Sequence, residues 1–199
     1  MKIAVFASGR GSNLQALIDA SASGFIPAEI KLVISDNKNA VALKRAEAAR
    51  IENIFIDPDK FNTKREYEKD LIELLKEYKI DLIVLAGFMR ILTPTLINQY
   101  KNKIINIHPS LLPAFKGLNA QKQAIDYGVK YSGCTVHFVD AGVDTGPIIE
   151  QAVVKVDDSD SAEDLSKKIL KEEHRIYPEV IRDIVNNKII IEDRKVIRK

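Results

Sequence analysis

In KIINIHPSLLP, Lys103 to Pro113, an amide and an imidazole stand two residues apart at the end of an apolar run. Alternate side chains of a strand share a face, so Asn106 and His108 point the same way if the run is extended. Pro109 has no amide hydrogen and restricts the residue before it to extended geometry, which makes His108 the last residue of its strand. The pair then stands at a strand's carboxyl end, where open α/β sheets bind ligands. An amide beside an imidazole suits a developing oxyanion, although a capped strand end with a backbone-bonded histidine would use the same residues.

Two further stretches carry chemistry. SGRGSNLQAL, Ser8 to Leu17, turns from a strand through two glycines into a helix, and helix N-terminal amides with Ser12 and Asn13 can hold a phosphate. The dinucleotide fingerprint wants a third glycine where Leu14 stands, a P-loop wants Gly-Lys-Ser/Thr, and Asp36 only imitates a ribose-binding acid. A monophosphate site on Gly11, Ser12 and Asn13 is favoured over a plain turn with Ser12 as N-cap. HFVDAGVDTGP, His137 to Pro147, sets Asp140 and Asp144 among glycines as turn formers or functional carboxylates. Its spacing lacks the ligands of a calcium loop, so no metal is expected. If Asp144 reaches His108, the carboxylate favours the protonated imidazole and raises its pKa.

The elements that must position these residues alternate. KIAVFA (2–7), EIKLVIS (29–35), NIFID (53–57), DLIVLAG (81–87) and KIINIH (103–108) are short apolar runs, with helical spacing near 12–22, 40–50, 64–79 and 93–100. That pattern predicts parallel strands covered by helices. YSGCTVHFVD and PIIEQAVVKV, joined by the short turn 141–146, predict an antiparallel pair and hence a mixed sheet. An amphipathic helix over 161–185 follows, and KIIIEDRKVI reads as a hairpin within 188–199. The expectation is α/β: one Rossmann-like domain over 1–199, with a mostly parallel mixed sheet and helices on both faces.

Composition excludes several classes. The 199 residues are 46% apolar, enough for a core, and no run approaches a membrane span. The N-terminus reads as a first strand in a cytoplasmic protein, and the single cysteine, Cys134, reads as a buried thiol. Thirty basic against 28 acidic residues leave +2, and the densest charges, Lys64 to Lys79, alternate as on a solvated helix face. With no basic stripe interleaved with aromatics, no nucleic-acid partner is expected.

Taken in order, SGRGSNLQAL, LAGFMRIL (85–92), NIHPSLLP (106–113), TVHFVDAGVDTGPII (135–149) and EEHRIYP (172–178) resemble one family, the phosphoribosylglycinamide formyltransferases. NIHPSLLP alone marks the wider formyltransferase superfamily; the GSNLQAL loop and EHRIYP point to the glycinamide ribonucleotide branch. The resemblance implies transfer of a formyl group from 10-formyltetrahydrofolate, as co-substrate, to the amine of glycinamide ribonucleotide in purine biosynthesis. It implies no metal, no membrane, and a monomer or weak homodimer.

By that resemblance Asn106, His108 and Asp144 are the catalytic trio. A primary amine attacking a formyl carbon needs its tetrahedral oxyanion stabilised and a route for its proton, and no side-chain nucleophile, so Ser110 and Cys134 read as structural. Gly11, Ser12, Asn13, Leu14 and Gln15 match the ribonucleotide phosphate loop, and Glu173 a position near the ribose. The folate site carries over onto Met89, Arg90, Ile91 and Leu92, together with Asn106 and the loop Asp140, Ala141, Gly142, Val143 and Asp144. In isolation FMRIL reads as a helix start with Arg90 as a surface charge. Lys64 matches a basic residue, often Arg in the family, that meets the folate's glutamate; it stands beside Arg65. Some members have Pro at the position of Lys116 and His at that of Asn119, so His108 is the one histidine assigned to chemistry, with His137 and His174 as structural.

The enzyme alternative is 10-formyltetrahydrofolate hydrolysis, which in the family comes with an added N-terminal regulatory domain where this chain begins at its first strand. Methionyl-tRNA formyltransferase would need a further basic domain beyond residues 188–199. A non-catalytic nucleotide- or folate-binding module would not need Asn106, His108 and Asp144 together. If Lys64 or Arg65 holds the folate carboxylate, the double variant Lys64→Ala, Arg65→Ala should raise the folate KM with little change in kcat. An unchanged KM at low and high salt would make the segment a solvated face only.

Overall fold

Apolar runs of four to seven residues with β-branched side chains can satisfy their backbone only by pairing, and buried on both faces they pair in parallel with helices over them. The computed structural model describes residues 1–199 as two compact units, Met1–Asn106 and Ile107–Lys199. In the first, β1 (Lys2–Phe6), β2 (Glu29–Ser35), β3 (Glu52–Phe55), β4 (Leu82–Leu85) and the start of β5 (Ile104–His108) form parallel ladders. All four residues of β4 are buried, as expected of an interior strand. The register aligns Phe6 with Leu85 and Leu85 with Asn106, so the ends of β1 and β4 lie side by side with Asn106, two residues before the end of β5.

The crossovers carry α1 (Ser12–Ala22), α2 (Val41–Ala48), α3 (Lys64–Glu77) and α4 (Pro94–Gln99), with a single 3-10 turn at Pro58–Lys60. Thr63 caps α3 by accepting from the Glu66 amide, and Leu71 and Leu75 of that helix are fully buried. Each such side chain contributes roughly 1.5–3 kcal/mol through the area it removes from water.

In the second unit, β6 (Tyr131–Phe138) pairs antiparallel with β7 (Ile148–Lys155), and the register shifts between Val136 and His137. Before them lies α5 (Ala120–Tyr127); after them α6 (Ala162–Val185) packs on both strands. A capping box of Ser161 and Asp164 starts α6, and its buried stripe runs through Leu165, Ile169, Ile176, Tyr177, Val180 and Ile181. The hairpin β8 (Ile189–Glu192) with β9 (Lys195–Arg198) ends the chain as its pattern predicts. The hydrogen-bonded strand order is β3-β2-β1-β4-β5-β6-β7, the mostly parallel mixed sheet anticipated from the sequence. No helix is long and apolar enough to cross a membrane.

Three local readings differ from the structure, the first two of them the plain alternatives to a binding role. FMRIL does not start a helix: residues 87–92 are irregular and α4 begins at Pro94, because Thr93 supplies the cap and a proline suits the first helical position. Ser12 is not the N-cap of α1; Gly11 is, in left-handed geometry at φ 68°, with no side-chain cap. The sequence reading also leaves 120–127 without a helix. That helix is short, buries only Ala120 and Ala124, and is bounded by left-handed Asn119 and Gly128, so its periodic signal is weak.

Gly11 is fixed by more than its dihedral, since a Cβ there would lie 2.8 Å from both the Cα and Cβ of Ala42. Gly9, two residues earlier, has nothing within 4 Å of a Cβ. Gly11→Ala should therefore lower unfolding free energy by at least about 1–2 kcal/mol, the left-handed penalty alone. Gly9→Ala should stay within about 0.5 kcal/mol. Urea denaturation of the two variants checks the contrast, and equal midpoints would refute it.

Candidate active site

Parallel pairing of β1 and β4 sends two loops out from neighbouring strand ends, and they are tied at once. The Ser8 amide donates to Gly87 O at 3.0 Å, and Ser8 Oγ accepts from the Met89 amide at 2.9 Å. Beyond Ser8 the glycine loop is braced by α2. The Ala42 amide donates to Gly9 O at 3.1 Å, while Arg45 donates through Nε to Arg10 O at 2.9 Å and through Nη1 to Gln15 Oε1 at 3.0 Å. Ser12 and Asn13 stand in the first turn of α1, where amides lack intrahelical acceptors and suit an anion. Leu14 is fully buried, so only its backbone belongs to the loop.

The strip Met89–Leu92 exposes Met89 (63%) and Ile91 (59%) and buries Leu92. Arg90 is not a bare surface charge. Its guanidinium lies 5.2 Å from the ring centroid of Tyr67 on α3, a cation–π arrangement. Lys64 and Arg65 open that same helix and are both exposed. Asn106 stands beside Leu85 in the β4–β5 register and is half-buried.

His108 closes β5, as Pro109 requires, and is 5% exposed. Its Nδ1 lies 3.3 Å from Asp144 Oδ2 and its Nε2 2.8 Å from the carbonyl oxygen of Phe115. Asp144 Oδ1 lies 3.6 Å from Nε2 of His137, whose Nδ1 is 2.8 Å from Phe138 O. The Gly117 amide donates to Asp144 Oδ2 at 2.8 Å. The carboxylate thus stands between two imidazoles, on a residue held at φ 51°, which Asp tolerates better than most side chains.

Asp144 reaches His108 and pushes its pKa up, as expected of such a contact, but that push does not decide the outcome. Burial pushes the His108 pKa down by more than the Phe115 carbonyl and the Asp144 carboxylate push it up, so the imidazole lies below its ordinary 6.5. Desolvation of a cation outweighs one partly buried carboxylate. For Asp144, burial pushes upward, yet hydrogen bonds from His137 and Gly117 with the nearby imidazoles hold it below the usual 3.8. At neutral pH the site holds an ionised carboxylate against a neutral ring.

The rest of the loop is structural in geometry. Asp140 Oδ1 accepts from the Gly142 amide at 3.1 Å and the Thr145 hydroxyl at 2.6 Å, while Ala141, Gly142 and Val143 are exposed. Glu173 is buried on α6, as is Cys134 on β6, whose thiol burial pushes up to about 12. Such a thiol supplies no thiolate at neutral pH. No group of three or more His, Cys, Asp or Glu side chains is placed to hold a metal ion. Sequence reasoning missed the approach of His137 to Asp144 and the bracing by Arg45. His137 shares strand parity with Thr135 just before the Asp140 loop, a usable signal, whereas nothing local marks Arg45, 35 residues from Arg10.

Comparison with known proteins gives a consistent picture. The profile of the family described as Formyl transferase matches residues 1–181. The phosphoribosylglycinamide formyltransferase of Bacillus subtilis is 44% identical over 184 residues, covering 92% of this chain and 94% of that protein. The trifunctional purine biosynthetic protein adenosine-3 of Drosophila melanogaster is 46% identical over 193 residues, 96% of this chain but 14% of that protein's length. Among solved structures, glycinamide ribonucleotide transformylase 1 from Symbiobacterium toebii superposes with a TM-score of 0.98 at 48% identity, covering 100% of this chain and 93% of that one.

Asp144→Asn should move the His108 titration, followed by NMR, still further below 6.5, because it removes a carboxylate that favours the cation. Stability should follow the same sign. His108 binds its proton more readily unfolded, so its contribution is whole above pH 6.5 and drains as pH falls toward its folded pKa; that of Asp144 is whole above 3.8 and drains below it. A His108 titration unmoved by the substitution would show the two groups to be uncoupled.

Proposed function

Because the chain belongs to the formyl transferase family, we propose that it transfers a formyl group from 10-formyltetrahydrofolate to the amine of glycinamide ribonucleotide in de novo purine synthesis. The observation that carries the chemistry is the Asp144 carboxylate 3.3 Å from the buried His108 imidazole at the end of β5.

Amine attack on the formyl carbon places negative charge on the formyl oxygen and a surplus proton on nitrogen. Asn106 donates its amide hydrogens to that oxygen, and the single ring N–H of the neutral His108 leaves its resting oxygen acceptor to donate to it. A ring kept neutral at rest has little charge to screen before attack, and its N–H meets a stronger acceptor as negative charge gathers on the formyl oxygen, so the bond strengthens toward the transition state. Asp144, ionised at neutral pH, accepts the amine proton directly or through water. Collapse of the intermediate re-forms the C=O bond and expels the folate nitrogen, which takes the proton held by Asp144 as the C–N bond breaks and leaves the carboxylate ionised again. His137 holds the second oxygen of Asp144 and keeps it in place.

The ribonucleotide phosphate is assigned to the amides and side chains of Gly11, Ser12 and Asn13, with Leu14 and Gln15 completing the loop, and its ribose to Glu173. The folate is assigned to Met89, Arg90, Ile91 and Leu92 and to the loop Asp140–Asp144, its glutamate to Lys64 or Arg65. A basic residue at that end suits a flexible dicarboxylate, as a point charge if Lys64 and as a bidentate fork if Arg65.

Incubation with 10-formyltetrahydrofolate, with and without glycinamide ribonucleotide, while both products are followed, tests the reading. Formylated nucleotide should appear in step with released folate, and folate released without the amine would point to hydrolysis instead. His108→Ala should lower kcat by at least about 10²-fold, the loss typical of one oxyanion donor, with nucleotide binding retained. Removing the acceptor's phosphate should weaken its binding strongly; equal affinity would sink the Gly11–Asn13 assignment.

A further inference from the structure

The strip assigned to folate has no regular structure to hold it. No backbone N–H or C=O of Arg90, Ile91 or Leu92 pairs with another backbone group, and two of the strip's apolar side chains are exposed. Such an edge can offer donors and acceptors to a flat heterocycle only if its shape is fixed from outside. At its first residue the Met89 amide is held by Ser8 Oγ, and in its middle Arg90 lies over Tyr67.

Directly after its last residue comes an unusual group. Glu68, next to Tyr67 on α3, is 2% exposed and pairs with no cation. Its Oε1 accepts from the Thr93 amide at 2.5 Å, and its Oε2 accepts from the Thr93 hydroxyl and from the Leu96 amide at 3.0 Å. A six-residue helix does not need this carboxylate as its cap, since Thr93 already caps α4 by accepting from the Thr95 amide. Burying a carboxylate is costly, and donors on three groups are what make it tolerable. What the arrangement adds is a tie between α3 and the residue that ends the strip.

We infer that Glu68 is a positioning residue for the formyl donor, holding Met89–Leu92 from its carboxyl end as Ser8 holds it from the other. The inference rests on the reading of that strip as a folate site. Glu68→Gln keeps the side chain's size but turns an acceptor into a donor that faces other donors. In steady-state kinetics it should raise the KM for 10-formyltetrahydrofolate about tenfold, with kcat and the nucleotide KM within about twofold. In the unliganded chain, amide exchange at Arg90–Leu92 should quicken while the β4 amides stay protected.

Thr93→Val, which removes the hydroxyl but not the shape, should follow Glu68→Gln in direction and carries the test if Glu68→Gln fails to fold. Thr93→Ser, which keeps the hydroxyl, should restore the parent folate KM. An unchanged folate KM in folded Glu68→Gln, or equal damage to both KM values and kcat, would overturn the anchor. A parent chain that transfers no formyl group would overturn the site reading and this inference together, a result visible in the parent's own assay before any variant is made.

Discussion

The parallel, in-register pairing of β1, β4 and β5 governs what the first unit can do. Parallel neighbours cannot be joined by a tight turn, so each connection must cross over as a helix and return, and every strand ends on the same side as its neighbours. Phe6, Leu85 and Asn106 are aligned by that register, and the segments that follow Phe6 and Leu85 therefore leave as neighbours. Ser8 exploits this closeness with two hydrogen bonds to residues 87–89, 79 to 81 positions away in the chain. The helices that make the crossovers also supply the braces: α2 gives Arg45 and Ala42 to the glycine loop, and α3 gives Glu68 and Tyr67 to the Met89 strip.

In the second unit the governing balance is between burial and charge. His108 and Asp144 are each mostly removed from water, and both ring nitrogens of His108 face oxygen acceptors. Two acceptors alone would make the ring cationic, yet desolvation prevails and leaves it neutral. Asp144 escapes the same fate because its charge is spread over the Gly117 amide, His137 and His108, so hydrogen bonding outweighs its burial. A buried pair of this kind holds its geometry in the resting state while carrying a single charge, that of Asp144.

Much of this was legible in the sequence because its causes are local. The apolar runs and helical spacings gave β2, α1, β5 and α6 to within a residue, the Pro109 constraint ended β5 at His108, and Ser161 with Asp164 marked the start of α6. The glycine turn, the NIHPSLLP segment and the Asp-Gly loop carry the family resemblance by themselves. Each of these depends on backbone restriction or periodicity over a few residues, which a single chain displays openly.

What only the tertiary structure decided depends on contacts between residues far apart in sequence and on the environment they share. The left-handed cap at Gly11 is required by Ala42, and the irregular strip at 87–92 is closed by a cap at Thr93 that Glu68 reinforces from 25 residues away. Neither cause is written beside its effect. The protonation of His108 is decided in the same way: the sequence suggests a carboxylate partner, but not the degree of burial that outweighs it. A charge pair can be guessed from residue types, whereas a desolvation penalty exists only once the chain has closed around the group.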